Sequence, residues 1–187
     1  RDPEMSRGLG DVYKRQVIDT FSLYGIRCIP ISAFEMATKM GIKIIPYSAL
    51  SEEKRNAAMR ESKDGFSIGS SQSQEWVIFY NDACESYGRI NQTIMHEIGH
   101  YAMGHIKDGE EEESEAKFFA KYALAPPPLI HTFIENITPD AIRDVFDLSN
   151  QAARNAYWYY RSWLYNGGNY YTCLLYTSPS PRDISGS

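Results

Sequence analysis

His96 and His100 stand four residues apart in the run His96-Glu97-Ile98-Gly99-His100, with Glu97 beside the first of them. Positions four apart share one face of an α-helix, so the two imidazoles can reach a single metal ion. Neutral imidazole nitrogens suit zinc. Glu97, adjacent to a ligand without being one, can sit next to a water activated by the metal, take its proton and hand that proton to a leaving amine. These residue types at this spacing therefore point to metal-assisted hydrolysis of a peptide bond.

A catalytic zinc site with two histidines needs a third protein ligand and an open position for water. His105 fails the register in which a third histidine follows the second by six residues with a glycine between, because Met103 and Ile106 occupy the two diagnostic positions. It is better placed at the helix end or behind the metal ligands. The acidic stretch Glu110 to Glu113, then Glu115, offers a carboxylate instead. Glu115 shares a helical stripe with Phe119 and Tyr122, which aims it inward and makes it the expected third ligand. Glu110 to Glu113 fall at a helix start, where the dipole favours negative charge without any catalytic role. Glu111 and Glu112, about one turn before the stripe, stand as fallbacks.

Several elements must position these groups. The sequence predicts a helix from Val17 to near Gly25, a second over Ser32 to Met40 stopped by Gly41, and a strand from Ile42 to Tyr47. A charged surface helix follows over Ser51 to Ser62, then two strands, Gly65 to Gly69 and Glu75 to Asn81, joined by a polar turn. The second strand is the expected edge on which an extended substrate would add, although its alternation also suits a core strand covered on both faces. The helix carrying the histidines is expected from about Asn91 to Met103. Pro126 to Pro128 breaks the chain, Thr138-Pro139 starts another helix, and Ser149 caps one that runs to about Leu164.

Residues 6 to 16 and 173 to 183 can be encoded by the two strands of one DNA segment, each in its own frame, and they resemble the transposase adapter of sequencing libraries. Residues 1 to 16 and 173 to 187 are therefore set aside as adapter-like tails. The expected organisation is a catalytic domain over residues 17 to 128 and a helical segment over 129 to 172 packed on it. Both natural termini are expected to be missing.

Residues 17 to 172 are enough for one domain with a substantial core. The chain carries a net charge of -5, which gives no general attraction to nucleic acid or anionic lipid. Between the tails, Cys28 and Cys84 are the remaining cysteines and lack CxxC spacing, so a disulfide framework and a cysteine zinc site are both unexpected and a reducing compartment fits. No apolar run approaches the length of a membrane span.

The run HEIGHYAMGH followed by ESEAKFFAKYALAPP resembles the ImmA/IrrE family of zinc peptidases. The stretches IPISAFEMATKMGIKIIPYS and VIFYN resemble that family's opening helix and strand and its strand before the active helix. The resemblance implies an α+β, zincin-like fold: a short antiparallel or mixed sheet packed on the active-site helix, followed by a helical C-terminal segment. It implies that His96, His100 and Glu115 bind Zn2+ and that Glu97 is the general base. It further implies a cytoplasmic endopeptidase, from a mobile element, phage or stress pathway, that cleaves a DNA-binding transcriptional repressor. Neither direct nucleic-acid binding nor membrane association is expected. For oxyanion stabilisation, Tyr101, His105 and His131 are candidate donors among which spacing does not choose.

A rival reading is a zinc-containing regulatory or protein-binding module without peptidase activity. Two helices joined at Asp147-Leu148-Ser149 resemble a helix-turn-helix, but Asp140, Asp144 and Asp147 oppose Arg143, Arg154 and Arg161, so no positive face forms. Tyr157, Trp158, Tyr159, Tyr160 and Trp163 fit a core or partner-docking stripe better than a base-stacking platform.

Overall fold

The computed structural model describes residues 7–69, 75–105, 109–167 and 180–181. The polar turn expected between the two strands falls outside them. The chain forms α1 (Arg7–Tyr24), β1 (Cys28–Ile29), α2 (Ala33–Lys39), β2 (Lys43–Pro46), a 3-10 turn (Tyr47–Ala49), α3 (Glu52–Glu61), β3 (Gly65–Gly69), β4 (Trp76–Tyr80), α4 (Tyr87–Met103), α5 (Glu110–Leu124), α6 (Pro127–Phe133), α7 (Pro139–Phe146), α8 (Asn150–Tyr165) and β5 (Ser180–Pro181). This is the α+β arrangement expected of a small zincin-like domain.

Local chemistry accounts for most boundaries. Ser32, Ser51, Ser86, Thr138 and Ser149 each accept a hydrogen bond from the backbone N–H three residues on, satisfying a donor that the first helical turn leaves open. Three boundaries differ from expectation. Helix α4 begins at Tyr87, a turn before Asn91, because Ser86 supplies the cap. The proline run does break the chain, yet it also starts α6, since Pro127 at the first helical position has no N–H to leave unsatisfied. Helix α6 thus straddles the domain boundary expected at residue 128. At the other end α1 begins at Arg7, so the adapter-like residues continue the helix expected from Val17. Strand β5, also within an adapter-like tail, pairs with β1.

The main sheet has the order β2-β4-β3, with β2 parallel and β3 antiparallel to β4. Strand β4 is therefore central, which corrects its expected role as the substrate edge; β3 is the edge on the side of the histidines. The alternation in β4 explains the placement. Ile78 is fully buried and Trp76 meets Tyr101 of α4, while Phe79 on the other face stacks on Phe66. Both faces are covered, and a strand of that kind gains most from the middle of a sheet.

Helix α4 is anchored by Ile94, Met95 and Ile98, all fully buried, each contributing about 1.5–3 kcal/mol through burial. Asn91 pins its first half to the start of α2. Its Oδ1 accepts from the Ala33 N–H at 2.7 Å and its Nδ2 donates to the Ile31 carbonyl at 3.0 Å. Val17, Phe21, Met36, Ile98, Phe119, Ile142 and Trp163 belong to one core cluster, so the C-terminal helices share their core with the sheet and α4. Within α8 the aromatic row divides, with Tyr160 and Trp163 buried and Trp158 exposed. Cys28 and Cys84 are free thiols. Among the described residues no helix is long and apolar enough to cross a membrane.

Candidate metal centre

One turn of α4 separates His96 from His100, and the structure brings their Nε2 atoms to 3.2 Å of one another. The third group in reach belongs to Glu113. Its Oε1 lies 3.3 Å from His100 Nε2 and its Oε2 lies 3.6 Å from His96 Nε2. One ligand atom from each of these three residues falls within a sphere of contacts no wider than 4.8 Å. Two imidazole nitrogens and one carboxylate oxygen match the donor set of a catalytic zinc site with a position left for water.

Helix α5 places Glu115, the expected third ligand, away from this set and against His105. Two residues turn an α-helix by about 200°, so Glu113 and Glu115 face nearly opposite ways. The stripe Glu115, Phe119, Tyr122 does point inward, with both aromatic residues buried, but its carboxylate meets His105, past the end of α4, and not the imidazole pair. Glu113 lies instead on the face of Lys117 and Ala120, which lines the same cleft as the histidines. Glu111 and Glu112, the fallbacks, are not brought to the pair either. The signal that could have selected Glu113 is its spacing of three and seven from Ala116 and Ala120, small residues that let α5 approach another helix.

That approach happens at Gly99. A Cβ added there would lie 3.2 Å from Ala116 Cα, 3.2 Å from the Ala116 carbonyl oxygen and 3.2 Å from Phe119 Cβ. Backbone cannot retreat as a flexible side chain does, so Gly99→Val should force α4 and α5 apart and draw Glu113 away from the imidazoles. The expected outcome is a protein that still folds, by circular dichroism, and binds zinc at least about tenfold more weakly. Unchanged affinity in a zinc titration would detach the helix approach from the metal site.

Glu115 instead belongs to a chain of groups behind His100. Gly104 takes the left-handed conformation, φ 72°, and the turn it makes lets the His105 N–H donate to the His100 carbonyl at 3.0 Å. The His105 ring is thereby folded back beside His100, with their Nδ1 atoms 3.0 Å apart and His105 Nε2 2.9 Å from Glu115 Oε2. If His100 Nε2 is to be a free lone pair for metal, its Nδ1 carries the proton and donates to His105. His105 then donates from Nε2 to the Glu115 carboxylate, and this assignment satisfies every member. Tyr13, from the adapter-like segment, donates to the other Glu115 oxygen. His105 and Glu115 are thus placed to orient the His100 ring.

Electrostatics favour the protonation states a metal requires. Burial, then the neighbouring His100, hold His96 below the usual histidine range, which disfavours its charged form. For Glu113 burial pushes upward, but His96, Lys117 and His100 together outweigh it and leave the carboxyl below its ordinary value. Lys117, one turn along α5, sits 3.2 Å from Glu113 Oε2.

Glu97 is 8 % exposed and opens on the same cleft. The cleft has a volume of about 1270 Å³ and runs between β3 and α4, lined by all of Gly65 to Gly69 together with Trp76, His96, Glu97, His100 and Glu113. Of the candidate oxyanion donors, Tyr101 lines this cleft and His105 is engaged with His100 and Glu115. His131 lies elsewhere, bonded to Tyr160 and packed on Trp163.

A peptidase family model, Peptidase_M78, described as the IrrE N-terminal-like domain, matches residues 37–156. The matched span runs from α2 into α8 and contains the whole of the cleft. No curated protein matches the chain.

Proposed function

The chain belongs to the family of IrrE N-terminal-like peptidase domains, and we propose that it is a zinc-dependent endopeptidase with His96, His100 and Glu113 as ligands and Glu97 as general base. The carrying observation is the meeting, in one cleft, of a two-imidazole, one-carboxylate donor set, a further carboxylate outside that set, and the edge strand β3.

Bound zinc would supply Lewis acidity, polarising a substrate carbonyl and bringing the pKa of a coordinated water to about 7. The chain's residues do the rest. Glu97 accepts a proton from the attacking water and delivers it to the nitrogen of the breaking amide, so it begins and ends the cycle as a carboxylate. His105 and Glu115 fix the His100 ring so that Nε2 faces the metal. The substrate lies extended along β3, adding main-chain hydrogen bonds to a strand whose outer edge is unpaired among the described residues.

Its substrate is a protein, and the resemblance to ImmA/IrrE peptidases supports a DNA-binding transcriptional repressor of a mobile element or stress pathway, cleaved in the cytoplasm. The test combines metal content with cleavage. Purified protein is expected to hold one zinc that a His100→Ala variant lacks, to cleave a repressor encoded beside it, and to lose cleavage to a chelator and regain it with zinc. Zinc with no cleavage of that repressor would overturn the substrate assignment. No zinc in folded protein would overturn the enzyme.

A further inference from the structure

Ser67 sits at the middle of β3 and donates a hydrogen bond from Oγ to Glu97 Oε2 at 2.7 Å. We propose that Ser67 is a positioning residue for the general base. It holds the Glu97 carboxylate, through Oε2, in one orientation within the cleft that carries the imidazole pair, and it joins that base directly to the strand that receives the substrate. The inference rests on the peptidase reading for its kinetic consequence but not for its structural one.

Three observations carry it. The partners come from different elements, thirty residues apart in sequence, so the bond is a product of the fold and not of local chain geometry. It is charge-assisted, with a neutral hydroxyl donating to a carboxylate that is itself nearly buried, where such a bond is strong and geometrically demanding. Finally, the ladder register exposes the backbone of the same residue. The Asn81 N–H donates to the Asp64 carbonyl at 2.9 Å, and the pairing continues as Gly65 with Tyr80, Phe66 with Phe79 and Ser67 with Ile78. Since hydrogen-bonded and non-hydrogen-bonded pairs alternate along an antiparallel ladder, Phe66 and Ile68 spend their backbone groups on β4. Ser67 turns its N–H and carbonyl to the free edge. A peptide strand pairing there engages the backbone of the residue whose side chain holds the base.

The bond keeps the carboxylate in one orientation while Glu97 takes a proton from water and passes it to the amine. Ser67 gives up no proton in the cycle.

The experiment compares wild type with Ser67→Ala and Ser67→Thr in the zinc-loaded full chain. For Ser67→Ala, kcat on a cleaved protein substrate is expected to fall about 10- to 50-fold. KM should stay within about twofold and zinc affinity should be unchanged. Ser67→Thr, which keeps the hydroxyl, is expected to restore kcat to within about threefold. In a Glu97→Gln background the alanine change should add almost nothing, because the group it positions is already gone. A loss carried by KM, a loss of equal size in the Glu97→Gln background, or no loss at all overturns the proposal. A crystal structure of the alanine variant gives a readout independent of catalysis, in which Glu97 is expected to leave its rotamer while His96 and His100 stay in place. An unmoved, equally ordered Glu97 overturns the positioning role even if no substrate is ever cleaved. An inactive wild type with a displaced Glu97 in the variant overturns the peptidase reading alone.

Discussion

The Glu97→Gln protein is expected to keep its full complement of zinc and to lose peptide hydrolysis by roughly 10²- to 10⁴-fold, the usual contribution of a general base. The substitution preserves shape and burial, and the amide oxygen can still accept from Ser67, so neither the packing of α4 nor the positions of His96 and His100 are disturbed. What it removes is basicity, since an amide cannot take a proton from water at neutral pH. Metal content measured by mass spectrometry and turnover measured on the same sample separate the two effects. Unchanged turnover with full zinc would take Glu97 out of the mechanism and return the residue to a structural role.

The second large effect separates two glutamates on one helix. Glu113→Ala is expected to weaken zinc binding more than about 100-fold, because it deletes a ligand and leaves two imidazoles to hold the ion. Glu115→Gln is expected to weaken it only about 10- to 100-fold, the range for groups that orient a ligand without touching metal. The physical distinction is geometric. Glu113 lies 3.3 and 3.6 Å from the two ring nitrogens, whereas Glu115 is linked to His100 through His105. Competitive titration with a chelator of known affinity gives the order. The reverse order would restore Glu115 as the ligand and demand a different rotation of α5 in the metal-bound protein.

Much of the site was legible because its strongest part is local. A helix of period 3.6 places His96 over His100 whatever the rest of the chain does, and Glu97 follows from adjacency. The helix starts at Thr138 and Ser149 were equally readable, since both residues act on backbone only three residues away. The proposed third ligand, Glu113, was not readable in the same way. Inward-pointing periodicity correctly found the buried face of α5 through Phe119 and Tyr122, but a helix can have more than one neighbour. Burial against α1 and the end of α4 is not the same as proximity to the imidazoles. The choice of β4 as substrate edge failed for a related reason. Strand propensity measures how well residues fit a sheet, and the most apolar strand takes the centre for that very reason, leaving the glycine-bounded β3 at the edge.

The sequence by itself determined the chemistry of this protein: two imidazoles on one helical face, a carboxylate beside them, a supply of acidic residues nearby, and capped elements of known type. Those are properties of neighbours in the chain, and short-range sterics and hydrogen bonding settle them. Only the tertiary structure decided which distant groups meet that chemistry. The close contact at Gly99 and Ala116 sets the rotation and depth of α5, and with it the selection of Glu113. The left-handed turn at Gly104 folds His105 onto His100, and the sheet order brings Ser67 to Glu97. Each of these is a contact between elements whose relative placement is fixed by filling one shared core, and no window of local sequence contains that constraint.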